Sequence, residues 1–551
     1  MAKGTKLLAM KEKFTFWQTS GWGFSLLLVL PILAIFHTAI GQTDSVFAHL
    51  MQTVMATYTL NTVLLVCGTL LLALLFGVPS AWIMAMCRIP GERVLQWSLV
   101  LPLAMPGYII GYIYTDWFDY AGPVQIFLRD VFGWQSVHDY WFPSIRSLGG
   151  ACIVLALVLY PYVYLLARAA FMEQSASLLQ SARLLRCSPW DSFRRISLPL
   201  ARPSIAVGLS LVAMETLGDF GTVSYFAVNT LTTAVYDTWL GYSNLNAAAK
   251  ISAIMLLVIF VLISAERFSR RKQKLFQREF EHGDDMRYVL TGAKKWLALG
   301  WCWGLVAAAF LFPLGQLSYY AWHYFAESWT PEFEQYSLNS LVVSLLAAVV
   351  AVTVALVVNF YRRLDYRHRS VVPLRMASLG YAVPGTVLAI GVMIPLTKAD
   401  HLINDVMIHF DWGRPGLILS GTMFALIFAF VVRFAAVAIG SVESSLAKIP
   451  PSLDMASKTM GFAAFPMLRR VHFPLIRRGC LIAGLLVFIE SMKELNAALL
   501  LRPFNFETLA TYVFNFASDE QLELAALPAI LLVIVGLIPL VMVNRSLEQT
   551  H

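Results

Sequence analysis

The sequence predicts an all-α integral membrane protein with about twelve transmembrane helices, arranged as two tandem repeats of six spans. Three observations support this prediction. Of the 551 residues, 58% are hydrophobic and 13% are charged, a composition too apolar for a soluble domain. The apolar residues form continuous runs of the length that a membrane-spanning helix needs. A short basic motif also occurs twice, once in each half of the chain.

The apolar runs give the order of the spans. Six lie in the first half, near 21–41, 58–87, 95–115, 148–167, 203–227 and 247–265, and six in the second, near 296–322, 338–361, 372–396, 416–439, 479–501 and 524–543. Polar and apolar residues do not alternate within the runs, which therefore predict helices and not barrel strands. The predicted repeats are residues 1–265 and 296–551, joined by a charged linker at 266–295.

The basic residues predict the orientation. Of the 41 Lys and Arg residues, one lies within a span (Lys493) and six lie in the loops assigned to the outside (Arg129, Arg146, Lys250, Lys398, Arg414 and Arg502). The remaining 34 are assigned to the tails and the even-numbered loops. Because Lys and Arg collect on the cytoplasmic side, both termini are predicted to be cytoplasmic. The net charge of +8 then reflects topology and contact with the lipid bilayer, and we expect no nucleic-acid partner.

The repeated motif lies in two predicted cytoplasmic loops, at 173–202 and 448–478. A shift of 275 positions places Arg194, Arg195 and Pro199 on Arg469, Arg470 and Pro474 without a gap. Each copy has a short amphipathic helix, a break, a basic segment and a proline that leads into the next apolar run. The Pro106-Gly107 pair likewise corresponds to Pro384-Gly385. An even number of spans in each half predicts two repeats with the same orientation.

Two spans carry acidic residues in the same register as the motif. Glu215 and Asp219 lie in the fifth span, and Glu490 and Glu494 follow 275 positions later in the eleventh, beside Lys493. Their i, i+4 spacing predicts that each pair shares one helix face near the middle of the membrane. Charges there are costly, and two interpretations stay open. The side chains line or gate a translocation path, or they form a structural cluster in which Lys493 neutralises Glu490 or Glu494.

The motif resembles the EAA loop of binding-protein-dependent ABC importer permeases, in which Glu-Ala-Ala is followed at fixed spacing by Gly and then Leu-Pro. Gln180-Ser181-Ala182 and Met455-Ala456-Ser457 stand at the Glu-Ala-Ala positions, and Arg186 and Gly461 stand at the glycine. In that family the loop is the cytoplasmic coupling helix that contacts an ATPase subunit. The resemblance implies a type I ABC importer permease fold. It also implies an ATPase-coupling role for Gln180, Ser181, Ala182, Arg186, Arg194, Arg195, Pro199, Met455, Ala456, Ser457, Gly461, Arg469, Arg470 and Pro474.

Segments 114–125, 147–168 and 215–236 resemble the fused ferric-iron branch of these permeases. The resemblance implies a channel-forming subunit of the bacterial inner membrane that is not itself an enzyme. Its implied partners are two copies of an ATPase subunit, which bind ATP and Mg²⁺, and a periplasmic iron-binding protein. The resemblance also implies that this chain binds no cofactor of its own and that Fe(III) is its substrate. Fe(III) favours carboxylate oxygen, so Glu215 and Asp219 are candidate transient metal ligands. The candidate translocation path comprises Glu215, Asp219, Glu490, Glu494 and Lys493.

Two alternatives remain at this stage. Within the importer class, the substrate could be thiamine, a polyamine or a phosphonate. Outside it, a secondary transporter driven by protons or sodium also commonly has twelve spans in two halves. The sequence has no Walker A motif, so energy must come from another subunit or from an ion gradient. The duplicated coupling loops argue against the second alternative, because a gradient-driven carrier has no need of them.

Overall fold

The computed structural model describes residues 2–41, 45–174, 184, 187–270, 287–365 and 369–548, which are mostly helical. In this part of the chain, ten helices are long and apolar enough to cross a membrane: Phe16–Ala39, Met55–Met86, Leu148–Met172, Pro189–Gly218, Leu245–Ser264, Gly292–His323, Pro331–Leu364, Gly385–His409, Met423–Ala447 and Ala464–Lys493. A bent helix pair and the shorter apolar helix Leu522–Ile538 match the other two predicted runs. The prediction of an all-α membrane protein with about twelve spans is confirmed.

The predicted third span is not one straight helix. Its two parts, Glu92–Ala104 and Gly107–Phe132, meet at an angle of 92°. The break follows from Pro106, because the residue before a proline is driven into the extended region and proline has no N–H to donate. Met105 accordingly has φ −103° and ψ 121°. The second half repeats this arrangement, with a short helix Val371–Ala377, a 3₁₀ turn Leu379–Ala382, and Pro384 immediately before the helix Gly385–His409.

The chain forms two compact units. The first unit comprises Met1–Ala48, Val235–Ile254 and Thr330–Tyr512. Its centre is three packed helices, Pro331–Leu364, Met423–Ala447 and Phe473–Lys493. The N-terminal helix Ala2–Ala39 packs against the helix Gly385–His409. The two approach closely because Gly391 has no side chain, and a Cβ there would lie 2.7 Å from the carbonyl oxygen of Pro31.

The second unit comprises His49–Ala234, Met255–Trp329 and Val513–His551. Its centre is the helices Met55–Met86, Leu148–Met172 and Leu198–Gly218. Gly77 lets the first of them approach the second, since a Cβ on Gly77 would lie 2.9 Å from that of Val163. The seventh span joins this unit through the Tyr114 hydroxyl, which donates to the Ala308 carbonyl oxygen at 2.6 Å.

The units interleave segments of the two predicted repeats. The first span of each half packs with the core of the other half: Ala2–Ala39 belongs to the first unit and Gly292–His323 to the second. The compact units therefore do not coincide with the predicted sequence repeats, and the repeat boundaries at 1–265 and 296–551 stay a prediction. The linker falls largely on residues 271–286, outside the described part. Its end, Tyr288–Val289, pairs in parallel with Cys87–Arg88.

Three π turns occur in the described residues, and proline explains them. They span Phe193–Ser197, Ala307–Leu311 and Leu468–His472. Each ends two residues before a proline, namely Pro199, Pro313 or Pro474. A proline cannot donate to the carbonyl four residues earlier and its ring crowds that carbonyl, so the preceding turn widens. The first and third π turns are 275 positions apart, which extends the duplication to backbone conformation.

The other helices of the described residues connect these spans, flank them or form parts of them; Leu245–Arg270 and Leu522–Glu548 contain the sixth and twelfth spans. Their bounds are Ser45–Thr53, Pro123–Phe132, Pro189–Ser192, Gly221–Tyr225, Leu231–Leu240, Leu245–Arg270, Phe325–Ser328, Pro451–Thr459, Ala464–Met467, Asn496–Leu501, Leu509–Ser518 and Leu522–Glu548.

Candidate functional site

Asp219 lies at a break in the fifth span. The helix Leu198–Gly218 ends immediately before it, and Asp219 itself is extended, with φ −68° and ψ 127°. Its Oδ1 accepts the backbone N–H groups of Thr222 at 3.0 Å and Val223 at 3.1 Å, and its Oδ2 accepts the Thr222 hydroxyl at 3.0 Å. Asp219 therefore caps the short helix Gly221–Tyr225, satisfying N–H groups that the helix start leaves without intrahelical partners.

Glu494 occupies the matching break in the eleventh span. The helix Phe473–Lys493 ends before it, and Glu494 has φ −70° and ψ 111°, close to the angles of Asp219. Its Oε1 accepts the N–H of Ala497 at 3.1 Å, at the start of the short helix Asn496–Leu501. Both halves thus interrupt a span at the same register and place a carboxylate over the N–H groups of the next helix.

These breaks correct one prediction. The i, i+4 spacing does not place Glu215 and Asp219, or Glu490 and Glu494, on one face of a continuous helix, because the helices end at Gly218 and Lys493. The sequence signal for the break was present in the first half. Gly218 and Gly221 flank Asp219, and the Asp side chain competes for backbone N–H groups, which favours helix starts over helix interiors.

Arg433 is a largely buried cation in a span that the distribution of basic residues did not predict. The assignment of every basic residue except Lys493 to tails and loops is wrong here, since Arg433 lies near the middle of the helix Met423–Ala447. Its Nε lies 3.3 Å from Glu494 Oε2, and the two side chains are 12% and 8% exposed. Lys493 instead contacts Glu490, at 3.3 Å. The two acids of this span therefore have different basic partners, one of them on a different helix.

The Pro-Gly bend of each half lies against the acidic break of the same half. A Cβ on Gly107 would lie 3.1 Å from Thr222 Oγ1, the hydroxyl that donates to Asp219. A Cβ on Gly385 would lie 2.5 Å from Glu494 Oε1 and 2.8 Å from Arg433 Nη1. A side chain at Gly385 would therefore have to displace the Glu494 carboxylate and the Arg433 guanidinium. A side chain at Gly107 would crowd the Thr222 hydroxyl. Within each unit, the break at the Pro-Gly bend therefore lies against the break at the acidic residue.

The second loop helix, Pro451–Thr459, has the form predicted for a coupling helix. Gly461 has φ 81°, a left-handed conformation that glycine adopts freely. The N–H of Phe462 donates to Ser457 and the N–H of Gly461 to Lys458, both at 3.0 Å, which is a Schellman motif. Met455 and Ala456 are exposed, whereas Ser457 is buried and its hydroxyl donates to the Leu453 carbonyl oxygen.

Asp454 connects this loop helix to the transmembrane helices. It accepts from Arg363 Nε at 2.8 Å, and the ring Nε2 of His472 lies 2.7 Å away. Arg363, at the end of the helix Pro331–Leu364, also donates to the carbonyl oxygens of Leu446 and Ile449 at 2.6 and 2.8 Å. We call Arg363, Asp454 and His472 the anchor triad. It joins the loop helix to the ends of three spans.

The basic segments of the two loops are exposed. Four arginines on the two matched π turns are exposed: Arg194, Arg195, Arg469 and Arg470. Pro199 and Pro474 are the second residues of the helices that follow. In the first loop, Gln180, Ser181, Ala182 and Arg186 lie outside the described residues. The coupling role of all these positions stays a prediction.

The described residues include no group of three or more His, Cys, Asp or Glu side chains that could hold a metal ion.

The loop 133–147 is a compact polar and aromatic surface. Trp134 stacks on Tyr140 with ring centroids 4.7 Å apart, and Trp141 is 86% exposed. Arg146 pairs with Asp119 at 3.0 Å and with Glu520 at 2.7 Å. Hydrogen bonds from the backbone amides of Ser136 and Gln135 hold the pKa of Asp139 below its usual value. The loop is therefore held by ring stacking and hydrogen bonds within it and by ion pairs to Asp119 and Glu520 outside it.

Comparison with known proteins gives one matching family and several relatives. The model of the binding-protein-dependent transport system inner membrane component matches residues 73–274. The Fe(3+)-transport system permease protein FbpB 2 of Haemophilus influenzae is 26% identical over 531 residues, covering 94% of this chain and 96% of the relative. The molybdenum transport system permease protein ModB of Escherichia coli K12 is 31% identical over 212 residues, covering 37% of this chain and 89% of the relative. The ferric transport system permease protein FbpB of Actinobacillus pleuropneumoniae is 21% identical over 467 residues, covering 79% of this chain and 63% of the relative.

Proposed function

Because the chain belongs to the family of binding-protein-dependent transport system inner membrane components, we propose that it is the permease of an ATP-driven importer of ferric iron. The observation that carries the proposal is the similarity, over 94% of the chain, to a relative named as an Fe(3+)-transport permease. The relative named for molybdenum transport matches only 37% of the chain. The similarity to a relative named for Fe(3+) transport therefore extends over more of this chain than the similarity to the relative named for molybdenum transport, which favours ferric iron as the substrate.

The proposed complex contains this chain, two copies of an ATPase subunit and a periplasmic iron-binding protein. ATP and Mg²⁺ bind to the ATPase subunits, and this chain contributes the pathway. The proposed orientation places both termini and both loops, 173–202 and 448–478, in the cytoplasm, since Lys and Arg collect on that side. In this orientation the loop 133–147 faces the periplasm. Its exposed Trp141 and its ordered polar groups suit the docking of a binding protein.

The proposed mechanism is alternating access driven by the ATPase dimer. Closure of the dimer on ATP pushes the loop helix Pro451–Thr459 and the corresponding loop of the first half, 173–202. The exposed Met455 and Ala456 present the contact surface, and the anchor triad conveys the movement to the spans. The ATPase can shift the equilibrium between the outward-open and inward-open states of the permease only if it binds one state more tightly than the other. The contact with the loop helix must therefore be tighter in one of these two states.

The acidic breaks are the proposed route for the cation. Fe(III) is a hard ion that favours oxygen ligands, and Glu215 and Asp219 supply carboxylates within one span. The second half differs because Arg433 pairs with Glu494, leaving that carboxylate less suited to hold a cation. We therefore assign transient substrate contact to Glu215 and Asp219. Glu490, Lys493 and Glu494 are assigned to the wall and gate of the path.

The proposed function is tested by iron uptake into proteoliposomes that contain this chain, its ATPase and its loaded binding protein. We expect radiolabelled Fe(III) to accumulate only with ATP and all three components. A matched preparation without the ATPase, energised by a proton or sodium gradient, should show background uptake. Uptake in that preparation would instead identify a secondary transporter. Accumulation of molybdate, thiamine, a polyamine or a phosphonate in place of iron would reassign the substrate within the importer class.

The double variant Glu215→Gln/Asp219→Asn tests the carboxylate route. Asn keeps the ability to cap the helix Gly221–Tyr225 while the negative charge is lost. We expect iron uptake to fall by about tenfold or more, equivalent to at least about 1.4 kcal/mol in the transport barrier, while the ATPase stays bound. The control Glu327→Gln removes an exposed carboxylate of the same unit, outside the spans and outside the loop 133–147, and should transport normally. Unchanged uptake in the double variant would return both residues to a structural role.

A further inference from the structure

A basic pocket lies at one membrane edge of the second unit. Its volume is about 620 Å³, and it is lined by Arg88, Ile89, Pro90, Gly91, Glu92, Arg93, Arg287, Val289, Leu290 and Lys295. The helix Met55–Met86 ends just before this segment, and the span Gly292–His323 begins beside it. The pocket therefore sits where two spans leave the hydrocarbon region. Nothing in the proposed transport mechanism uses it.

The walls of the pocket are held by specific contacts. Cys87 and Arg88 pair in parallel with Tyr288 and Val289, which joins two segments about 200 positions apart in the chain. Arg287 donates to Glu92 at 2.9 Å, closing the same wall. Trp82 stacks on Tyr288 with ring centroids 6.0 Å apart. The basic side chains therefore project from a fixed frame.

The charge of the lining favours an anion. Four cationic side chains face one carboxylate, and that carboxylate, Glu92, already pairs with Arg287. Arg88, Arg93 and Lys295 add further positive charge around the same space. Guanidinium groups match the geometry of phosphate oxygens, and a lysine adds a compact charge. The pocket thus suits a phosphate group.

The rim of the pocket favours an amphiphile over a soluble anion. Val94, Val289, Trp296 and Leu297 are between 61% and 73% exposed beside it. Trp296 and Leu297 stand near the start of the seventh span, where aromatic rings mark the membrane–water interface. The ammonium of Lys295 lies 5.6 Å from the Trp296 ring centroid, which places charge next to apolar surface. A ligand with a phosphate head and an acyl tail satisfies both parts.

We propose that this pocket binds the phosphate headgroup of an anionic phospholipid, with the acyl chains against the exposed side chains of the seventh span. Basic pockets at helix ends select anionic lipids through charge and hydrogen bonding. The bound lipid would hold the Cys87–Arg88 and Tyr288–Val289 pair against the membrane surface. The site would therefore fix the end of the linker that joins the two halves.

The test is native mass spectrometry of the full chain in detergent with added phosphatidylglycerol or phosphatidylcholine. We expect the wild-type protein to retain phosphatidylglycerol and the triple variant Arg88→Gln/Arg93→Gln/Lys295→Gln to retain at least about fivefold less, an effect of about 1 kcal/mol. Phosphatidylcholine retention should be equal in both. The triple variant leaves the Arg287–Glu92 pair in place. The control Arg375→Gln/Arg477→Gln/Arg478→Gln removes three exposed cations of the other unit and should bind as wild type.

Several outcomes would overturn the proposal. In the first, the triple variant retains as much phosphatidylglycerol as the wild-type protein. In the second, the control variant loses as much phosphatidylglycerol as the triple variant does. Displacement of the lipid by millimolar inorganic phosphate would show a site for a soluble phosphate group and not for a lipid. If the triple variant fails to purify as a folded protein, Lys295→Gln alone is measured. We expect it to lower retention about twofold, and wild-type retention by this single variant would count against the site.

Discussion

Replacing Arg433 with leucine is expected to lower the free energy of unfolding by about 3–5 kcal/mol. The change leaves the carboxylate of Glu494, which is 8% exposed, without its basic partner on the neighbouring helix. An uncompensated charge in this position is costly because the surrounding helices exclude water. The measurement is thermal or denaturant unfolding of the purified chain in one fixed detergent.

A second substitution distinguishes a charge effect from a packing effect. The variant Arg433→Leu/Glu494→Gln removes both charges, and Gln retains an oxygen that can accept the N–H of Ala497. We expect it to recover most of the lost stability, because loss of both charges leaves no uncompensated ion. The control Arg195→Leu breaks an exposed i, i+4 pair with Asp191, whose Oδ1 lies 3.8 Å from Arg195 Nε, and it should unfold as the wild-type protein does because water screens this pair. Equal losses in the single and double variants would assign the effect to packing.

The spans could be predicted from the sequence because their signal is local. Each apolar run exceeds the length of a buried helix in a soluble protein, and twelve such runs leave one plausible class of fold. The duplication was also readable, because Pro199 with Pro474 and Pro106 with Pro384 recur at nearly constant offsets. The same prolines then explain the π turns and the bent third span of the structure.

Pairing between distant segments could not be predicted in this way. Arg433 lies in a run apolar enough to count as a span, and its partner Glu494 is 61 positions away in the sequence. The i, i+4 spacing of Glu490 and Glu494 suggested a shared face, but the helix ends at Lys493. An i, i+4 spacing places two residues on one face only if a single helix contains both of them. An acidic side chain that accepts the N–H groups at the start of a following helix favours a break between the two helices. The anchor triad was missed for the same reason, since its members lie on three elements.

Replacing Asp454 with alanine is expected to uncouple ATP hydrolysis from transport. Asp454 is the centre of the anchor triad, accepting from Arg363 at 2.8 Å and contacting His472 at 2.7 Å. Without it, the loop helix loses its ion pair with the end of the span Pro331–Leu364, and movement of the ATPase no longer reaches that span. A coupling free energy of about 1–3 kcal/mol corresponds to a change of about 5–150-fold, and we expect iron uptake per ATP hydrolysed to fall within this range.

The measurement compares uptake, ATP hydrolysis and complex assembly in the same proteoliposomes. Arg363→Lys should resemble Asp454→Ala, because lysine cannot hold the carboxylate and the Leu446 and Ile449 carbonyl oxygens together as the guanidinium does. The control Ser452→Ala alters an exposed position on the same loop helix and should keep the wild-type ratio. A further variant, Gly461→Val, strains the left-handed residue after the helix while leaving the triad intact. If Asp454→Ala transported iron at the wild-type ratio while Gly461→Val did not, force would pass through the chain that follows the loop helix and not through the anchor triad.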